Sequence, residues 1–303
     1  MPSDETTGRA QDEARAEPWT IARVMAWATG DLRAHGSATA RLDAELLLAH
    51  VLGCDRVRLV IDADRPLSPE ELGAYKELHR RRRKGEPVAY LRGVREFFGR
   101  PFRVDRRVLI PRPETEGLVE VALGRTRHIG LCARVLDLCT GSGCVAITLA
   151  KERPTNFVLA SDLSTDALEV AADNALRLGA QVGLYHSDLY AELGAWRASL
   201  DLITANPPYI ARAELAELAA DIRDFEPPLA LLGGADGLTL VRAVVQGAAT
   251  MLAAAGVLAV EIGAGQAAAA RQAFAEADFT DIEIARDYGG HERVISGRRP
   301  AGR

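Results

Sequence analysis

The sequence predicts an α/β protein: a mostly parallel, Rossmann-like sheet with helices on both faces, preceded by a small helical domain. Three observations predict it. From about Pro113 onward, short apolar runs alternate with helical stretches, as in consecutive βα units. Between Trp19 and Tyr90 the apolar spacing is helical and no convincing strand occurs. Finally, Val135-Leu136-Asp137-Leu138 runs straight into a glycine-bearing turn and a helix, as at the ligand-binding edge of such sheets. The chain of 303 residues, 48% hydrophobic, suffices for one large domain or two modest ones.

In chain order, residues 1–17 have low hydrophobicity and no periodicity, and are expected to form a disordered tail. Residues 18–92 are expected to be the helical domain. Ile21, Val24, Met25 and Ala28 mark one amphipathic helix, and Leu42, Leu46 and Leu47 a second. A third starts at Ser68-Pro69-Glu70-Glu71, where Ser68 can cap, Pro69 suits the first turn and Glu71 can complete a capping box. It ends in Arg80-Arg81-Arg82-Arg83-Lys84 and Gly85, cations and a C′ glycine that suit a helix C-terminus. Phe98, Phe102, Val104, Val108 and Ile110 fall at even positions, which suggests a short linking hairpin within 93–112. Residues 113–303 hold the sheet, with strands expected at 134–138, 157–161, 182–185, 200–204, 257–261, 282–285 and 293–296. The last two are separated by too few residues for a parallel crossover and should be antiparallel.

Charge and composition exclude several classes. A net charge of −5 argues against a protein that binds nucleic acid by neutralising phosphates. Cys54, Cys132, Cys139 and Cys144 form no C-x-x-C pair, so neither a zinc site nor a disulfide framework is expected. Free thiols, a polar start from Met1 to Pro18 and no apolar run of about 18 residues point to a soluble, cytoplasmic protein. Nothing demands more than a monomer.

The turn Cys139-Thr140-Gly141-Ser142-Gly143 lets backbone approach a ligand closely, yet lacks the full dinucleotide fingerprint. Asp162 ends the next strand, about 20 residues on, where an acid commonly receives ribose hydroxyls. Asp188, with Leu189 beside it, follows the third strand and could read an adenine edge. The bland alternative is an ordinary βα turn with capping acids.

Asn206-Pro207-Pro208-Tyr209 follows the fourth strand. Two prolines stiffen the loop and remove two amide donors. The Asn206 side-chain oxygen and the Pro207 carbonyl can each accept a hydrogen bond from a target NH2, while Tyr209 packs on its flat face. The loop resembles the N-P-P-Y motif of amino-group methyltransferases that use S-adenosylmethionine, which include adenine-N6 DNA methyltransferases and protein glutamine-N5 methyltransferases. Three further segments resemble signatures of the peptide chain release factor N5-glutamine methyltransferases: residues 109–116 (Leu-Ile-Pro-Arg-Pro-Glu-Thr-Glu), Glu226-Pro227-Pro228 with residues 233–237, and residues 286–294. The similarity spans roughly Trp19 to Arg298.

That resemblance implies a class I methyltransferase sheet, S-adenosylmethionine as methyl donor without a metal, and a release factor as the partner, with no direct nucleic acid and no membrane. The target would be the glutamine of the Gly-Gly-Gln motif, gripped in part by the helical domain. It implies Cys139, Thr140, Gly141, Ser142, Gly143, Asp162, Asp188, Leu189 and Asn206 at the cofactor, and Asn206, Pro207, Pro208 and Tyr209 at the substrate, with Asn206, Pro207 and Tyr209 acting in catalysis. Cys139 stands where that family often has glycine, and the string 137–144 also resembles a sister family that methylates glutamine in a large-subunit ribosomal protein. Glutamine methylation of a ribosomal protein, adenine-N6 methylation and a non-catalytic cofactor-binding module are the alternatives. The basic run 80–84 could grip an acidic partner or simply complement its helix dipole. His186 and His291 could suggest a general base, but the chemistry needs none.

Overall fold

The computed structural model describes residues 18–130 and 132–301; the expected tail, 1–17, lies outside them. The chain divides into two compact units between Arg92 and Gly93. Among the described residues no helix is long and apolar enough to cross a membrane.

The first unit is helical: α1 (Ile21–Ala34), α2 (Ala40–Leu52), α3 (Arg56–Ile61), α4 (Pro69–Arg83) and α5 (Val88–Arg92). The stripe Ile21, Val24, Ala28 and Leu32 of α1 is buried, as its spacing of three and four residues predicts. Thr20 caps α1, and Ser68 and Glu71 form the full capping box on α4. Gly85 follows α4 with φ +93°, in the left-handed region where glycine carries no Cβ penalty. The arginines of the run 80–84 form ion pairs within this unit. Arg80 pairs with Glu77, Arg81 with Glu86, Arg82 with Asp43 and Arg83 with Asp31. The Arg82–Asp43 pair is nearly buried and ties α4 to α2, whereas Arg80 and Arg83 stay exposed.

The second unit opens with an antiparallel hairpin, β1 (Val94–Phe97) and β2 (Arg100–Arg103). Here the expected alternation fails. Phe98 and Gly99 form the tight turn, both with positive φ, the geometry that matches strand twist in two-residue hairpins. The buried partner of Phe102 is therefore Phe97, edge to face at 6.0 Å between ring centres. Val104, Val108 and Ile110 are buried beyond the strands. The hairpin sends Phe97 and Phe102 into the core of this unit.

There follow α6 (Glu116–Arg125), β3 (Arg134–Leu138), α7 (Cys144–Glu152), β4 (Phe157–Asp162), α8 (Thr165–Leu178), β5 (Val182–His186), β6 (Leu200–Ala205), α9 (Ala220–Arg223), α10 (Thr239–Met251), β7 (Leu252–Glu261), α11 (Ala267–Glu276), β8 (Thr280–Arg286) and β9 (Glu292–Arg298). The strands form one sheet in the order β5-β4-β3-β6-β7-β9-β8. β9 alone runs opposite to the other six strands. The expected antiparallel final pair is thus present, with β9 inserted between β7 and β8.

Strand β7 begins five residues before the expected 257–261. The alanines after Leu252 read as a helical continuation, but α10 ends at Met251 and the chain turns directly into the strand, with Ala255 at φ +61°. The sheet has a core on each face. Leu136, Leu138, Ile203 and Leu258 lie in one, and Val135, Leu202, Val257 and Ala259 in the other, the period-two alternation of strands covered on both sides. Truncating such a side chain costs about 2–5 kcal/mol, so the strand ends are held rigidly where the polar residues gather.

Candidate active site

At the carboxyl ends of the parallel strands lies a cavity of about 1080 Å³, solvent-open space included. Its floor is the turn from β3 to α7. Asp137, fully buried near the end of β3, accepts hydrogen bonds from the hydroxyls of Thr140 (2.7 Å) and Thr204 (2.8 Å). It therefore ties the glycine turn to β6, while burial pushes its carboxyl up to about 7.

Gly141, at φ +54°, leaves open space where a side chain would stand. Its N–H donates to Asp162 Oδ2 (2.9 Å), and the Ser164 N–H donates to Oδ1 (2.9 Å). Burial raises the Asp162 pKa despite these donors. A carboxylate has about four lone-pair sites, so Asp162 keeps acceptor capacity on the cavity wall.

Cys139 has φ +55°. That conformation is natural for glycine, which explains in backbone terms why glycine suits this position. Burial pushes its thiol far up, and that of Cys144 up to about 12. Neither is a ready nucleophile.

Cys139, Thr140, Gly141, Ser142, Asp162, Asp188, Leu189, Asn206 and Pro208 all line the cavity; Gly143, Pro207 and Tyr209 do not. Gly143 serves packing. A Cβ there would stand 2.9 Å from Ile147 Cδ1 and 3.2 Å from Ala171 Cβ, so its absence lets α7 lie close to α8. Pro207 is buried. The half-buried Tyr209 has its ring against Gly263, where a Cβ would meet Cδ2 at 3.2 Å. Its hydroxyl is pushed up to about 12 by burial. His186 bonds the Leu163 carbonyl and His291 sits exposed in the β8–β9 turn.

The segment 233–237 backs the Asn206–Tyr209 loop. A Cβ on Gly233 would fall 2.5 Å from the Pro208 carbonyl oxygen, and one on Gly237 2.4 Å from that of Tyr209. Glycine at both positions lets two backbones touch. Ile210 bridges to Leu232, and the Gln266 side chain donates to the Tyr209 carbonyl (2.9 Å). Glu226 ties the other segments together. Its buried carboxyl accepts from the Ile110 N–H (3.2 Å) and from the Arg112 guanidinium.

Two polar residues stand out beyond the site residues that the sequence singled out. Thr115 lines the cavity, and its Oγ1 accepts from Asn206 Nδ2 at 3.2 Å. Glu261, at the end of β7, is 1% exposed, and its Oε2 has no hydrogen-bond partner among the described residues. Burial pushes its carboxyl up to about 7 against the pull of the Thr115 hydroxyl, Arg293 and the Asn206 amide. A signal for Glu261 exists in the sequence. Asp137, Asp162 and Asn206 each stand at or near the carboxyl end of an apolar strand, and Glu261 closes Val257-Leu258-Ala259-Val260 in the same way.

The cavity combines an unobstructed glycine floor, the carboxylates of Asp162 and Asp188, the cations Arg107 and Arg112, and apolar Leu163 and Leu189. Among the described residues no group of three His, Cys, Asp or Glu could hold a metal.

Comparison with known proteins agrees with this architecture. Residues 23–93 match the family described as PrmC N-terminal domain, and residues 123–223 match the Methyltransferase small domain. A crystal structure of a methyltransferase from Pyrococcus furiosus shares the fold at 15% identity, with a TM-score of 0.51 over 67% of this chain and 91% of that one. A release factor glutamine methyltransferase of Neisseria gonorrhoeae is 45% identical over 85% of this chain and 93% of its own length. Another, from Geobacter sulfurreducens, is 44% identical over 284 residues, 94% of this chain and 98% of that one. With both units covered at that identity, the chain belongs to the release factor glutamine methyltransferase family.

Proposed function

We propose that the protein transfers the methyl group of S-adenosylmethionine to the side-chain amide nitrogen, N5, of the glutamine in the Gly-Gly-Gln motif of peptide chain release factors. The observation that carries this reading is the placement of Asn206. It lines the same cavity as Gly141 and Asp162, and its NH2 is engaged by Thr115. Its carbonyl oxygen is then available to an NH2 group brought in by a substrate.

When bound, the sulfonium donor supplies an electrophilic methyl group. An amide nitrogen is a poor nucleophile, because its lone pair is delocalised into the carbonyl, so the chain must contribute position. Asn206 Oδ1 accepts an amide hydrogen and aims the nitrogen, while the buried Pro207 stiffens the loop that carries it. That hydrogen bond strengthens as positive charge develops on nitrogen, and so favours the transition state over the ground state. Tyr209 stiffens the loop through its ring and carbonyl. Asp162 receives ribose hydroxyls, Asp188 and Leu189 border the base, and the turn 139–142 lies under the rest of the donor. Gly143 contributes to this site by packing α7 on α8. The helical unit shares in gripping the protein substrate.

The test is methyl transfer from labelled S-adenosylmethionine to unmethylated release factor and, separately, to large-subunit ribosomal proteins, with mass-spectrometric mapping. Label on the Gly-Gly-Gln glutamine is the expected result. Label on the ribosomal protein alone would keep the amide chemistry and overturn the partner. Transfer to neither would overturn the reading.

A further inference from the structure

We propose that Glu261 is a positioning residue that sets which end of the Asn206 amide faces the cavity. The inference rests on the amide-methylation reading and deepens it.

An asparagine amide is nearly symmetric in shape, yet its two ends are opposite in chemistry: one accepts, the other donates. A cavity that receives an –NH2 needs the accepting end. With the amide reversed, two NH2 groups would face one another, and the loop could not hold a substrate amide.

The choice is made behind the cavity. Asn206 Nδ2 donates to Thr115 Oγ1 at 3.2 Å. The Glu261 carboxyl stands beside this pair: β6 and β7 are parallel neighbours with Ala205 in register with Val260, so Asn206 and Glu261 follow side by side at the two strand ends, and the Thr115 hydroxyl and the Asn206 amide both act on that carboxyl. Because a hydroxyl that accepts the Asn206 bond still has its own proton to give, we take the order of donors to be Asn206 to Thr115 to Glu261. A carboxyl at the end of that chain draws the NH2 inward and repels Oδ1, which leaves Oδ1 for the substrate.

Glu261 suits this role because it does not line the cavity and is 1% exposed. No substrate competes for it. Its free Oε2 retains acceptor capacity. Its position is set by backbone pairing: Glu261 is in register with Val294 of β9, and the Ile262 N–H donates to the Arg293 carbonyl at 2.9 Å. The third signature segment, 286–294, thereby supports the Asn206 loop through Glu261. The first supports it through Thr115. Two segments distant in sequence thus act on the orientation of one amide.

Four variants test the proposal: Glu261→Gln, Thr115→Val, Thr115→Ser and Asn206→Ala, with turnover of release factor glutamine, KM for the donor and donor affinity measured for each. Glu261→Gln keeps the shape but brings its own NH2 to the chain's end. Turnover should fall about 10- to 100-fold, with donor affinity within about twofold. Thr115→Val should show the same loss and Thr115→Ser should restore most of it. In an Asn206→Ala background, Glu261→Gln should cost nothing further, because no amide remains to orient. Wild-type turnover in Glu261→Gln, or an equal loss with and without Asn206, overturns the role of Glu261. Should Glu261→Gln fail to fold, undiminished turnover in Thr115→Val overturns the relay, and a loss rescued by Thr115→Ser supports it. Absence of transfer by the wild-type protein overturns the functional reading, and this assignment with it.

Discussion

The two units hold their acids in opposite ways. In the helical unit, carboxylates meet cations. Arg41, with Arg56 beside it, holds Glu45 below the usual carboxylate range, and the Ser68 amide with Arg65 does so for Glu71. Around the cavity of the sheet unit, burial dominates. Asp137, Asp162, Glu226 and Glu261 are all raised, first by burial, and several of their partners are hydroxyls or backbone amides. The physical difference is the partner. A guanidinium compensates a carboxylate's lost hydration with opposite charge; a hydroxyl compensates only in part. Charge pairs in the first unit maintain a fold. Incompletely compensated acids in the second surround a cavity, where raised values commonly gather in functional sites.

Asn206→Ala should sharpen the contrast most. Turnover should fall about 10²- to 10³-fold, as when one preorganised transition-state hydrogen bond is removed, with donor affinity nearly unchanged. Steady-state kinetics and calorimetric titration check both halves, and normal turnover would refute the role given to Asn206. Asp162→Ala should have the reverse signature. Donor affinity should weaken about 10- to 100-fold, the worth of one or two lost hydrogen bonds to a charged group. Unchanged affinity would remove Asp162 from the ribose site.

The raised acids also make a pH prediction. Asp137 and Glu261 hold protons up to about 7 in the folded chain, whereas ordinary carboxyls release them near about 4. The folded state binds more protons in that window, so unfolding free energy must fall as pH rises through it. Each group contributes at most about 1.4 kcal/mol per pH unit. Asp137→Asn should flatten the slope between about pH 4 and 7, read from denaturant unfolding at several pH values. An unchanged slope would mean that Asp137 titrates normally.

Ser68→Ala should be the mildest change. Loss of the capping box on α4 should cost about 1 kcal/mol, seen as a lower midpoint in thermal unfolding, while donor affinity stays at the wild-type value. A change in donor affinity would break the separation between the two units.

What the sequence determined by itself was local. Apolar runs and turn residues located β3, β4, β5 and β6 to within a residue, because strand period and breaker chemistry act over a few positions. Ser68-Pro69-Glu70-Glu71 specified its helix start for the same reason, and Asn206-Pro207-Pro208 its stiff loop. Tertiary structure decided the rest. It put the hairpin turn at Phe98-Gly99, gave Gly143 to helix packing and Gly233 and Gly237 to the back of the Asn206 loop, and enclosed the arginines of 80–83 in ion pairs. It also inserted β9 beside β7, which brings Arg293 near Glu261. A glycine or an acid in a sequence does not reveal which distant backbone will press against it or whether water will reach it. Long-range packing alone settles those two quantities, and they separate a strand-ending surface acid from a buried one behind the site.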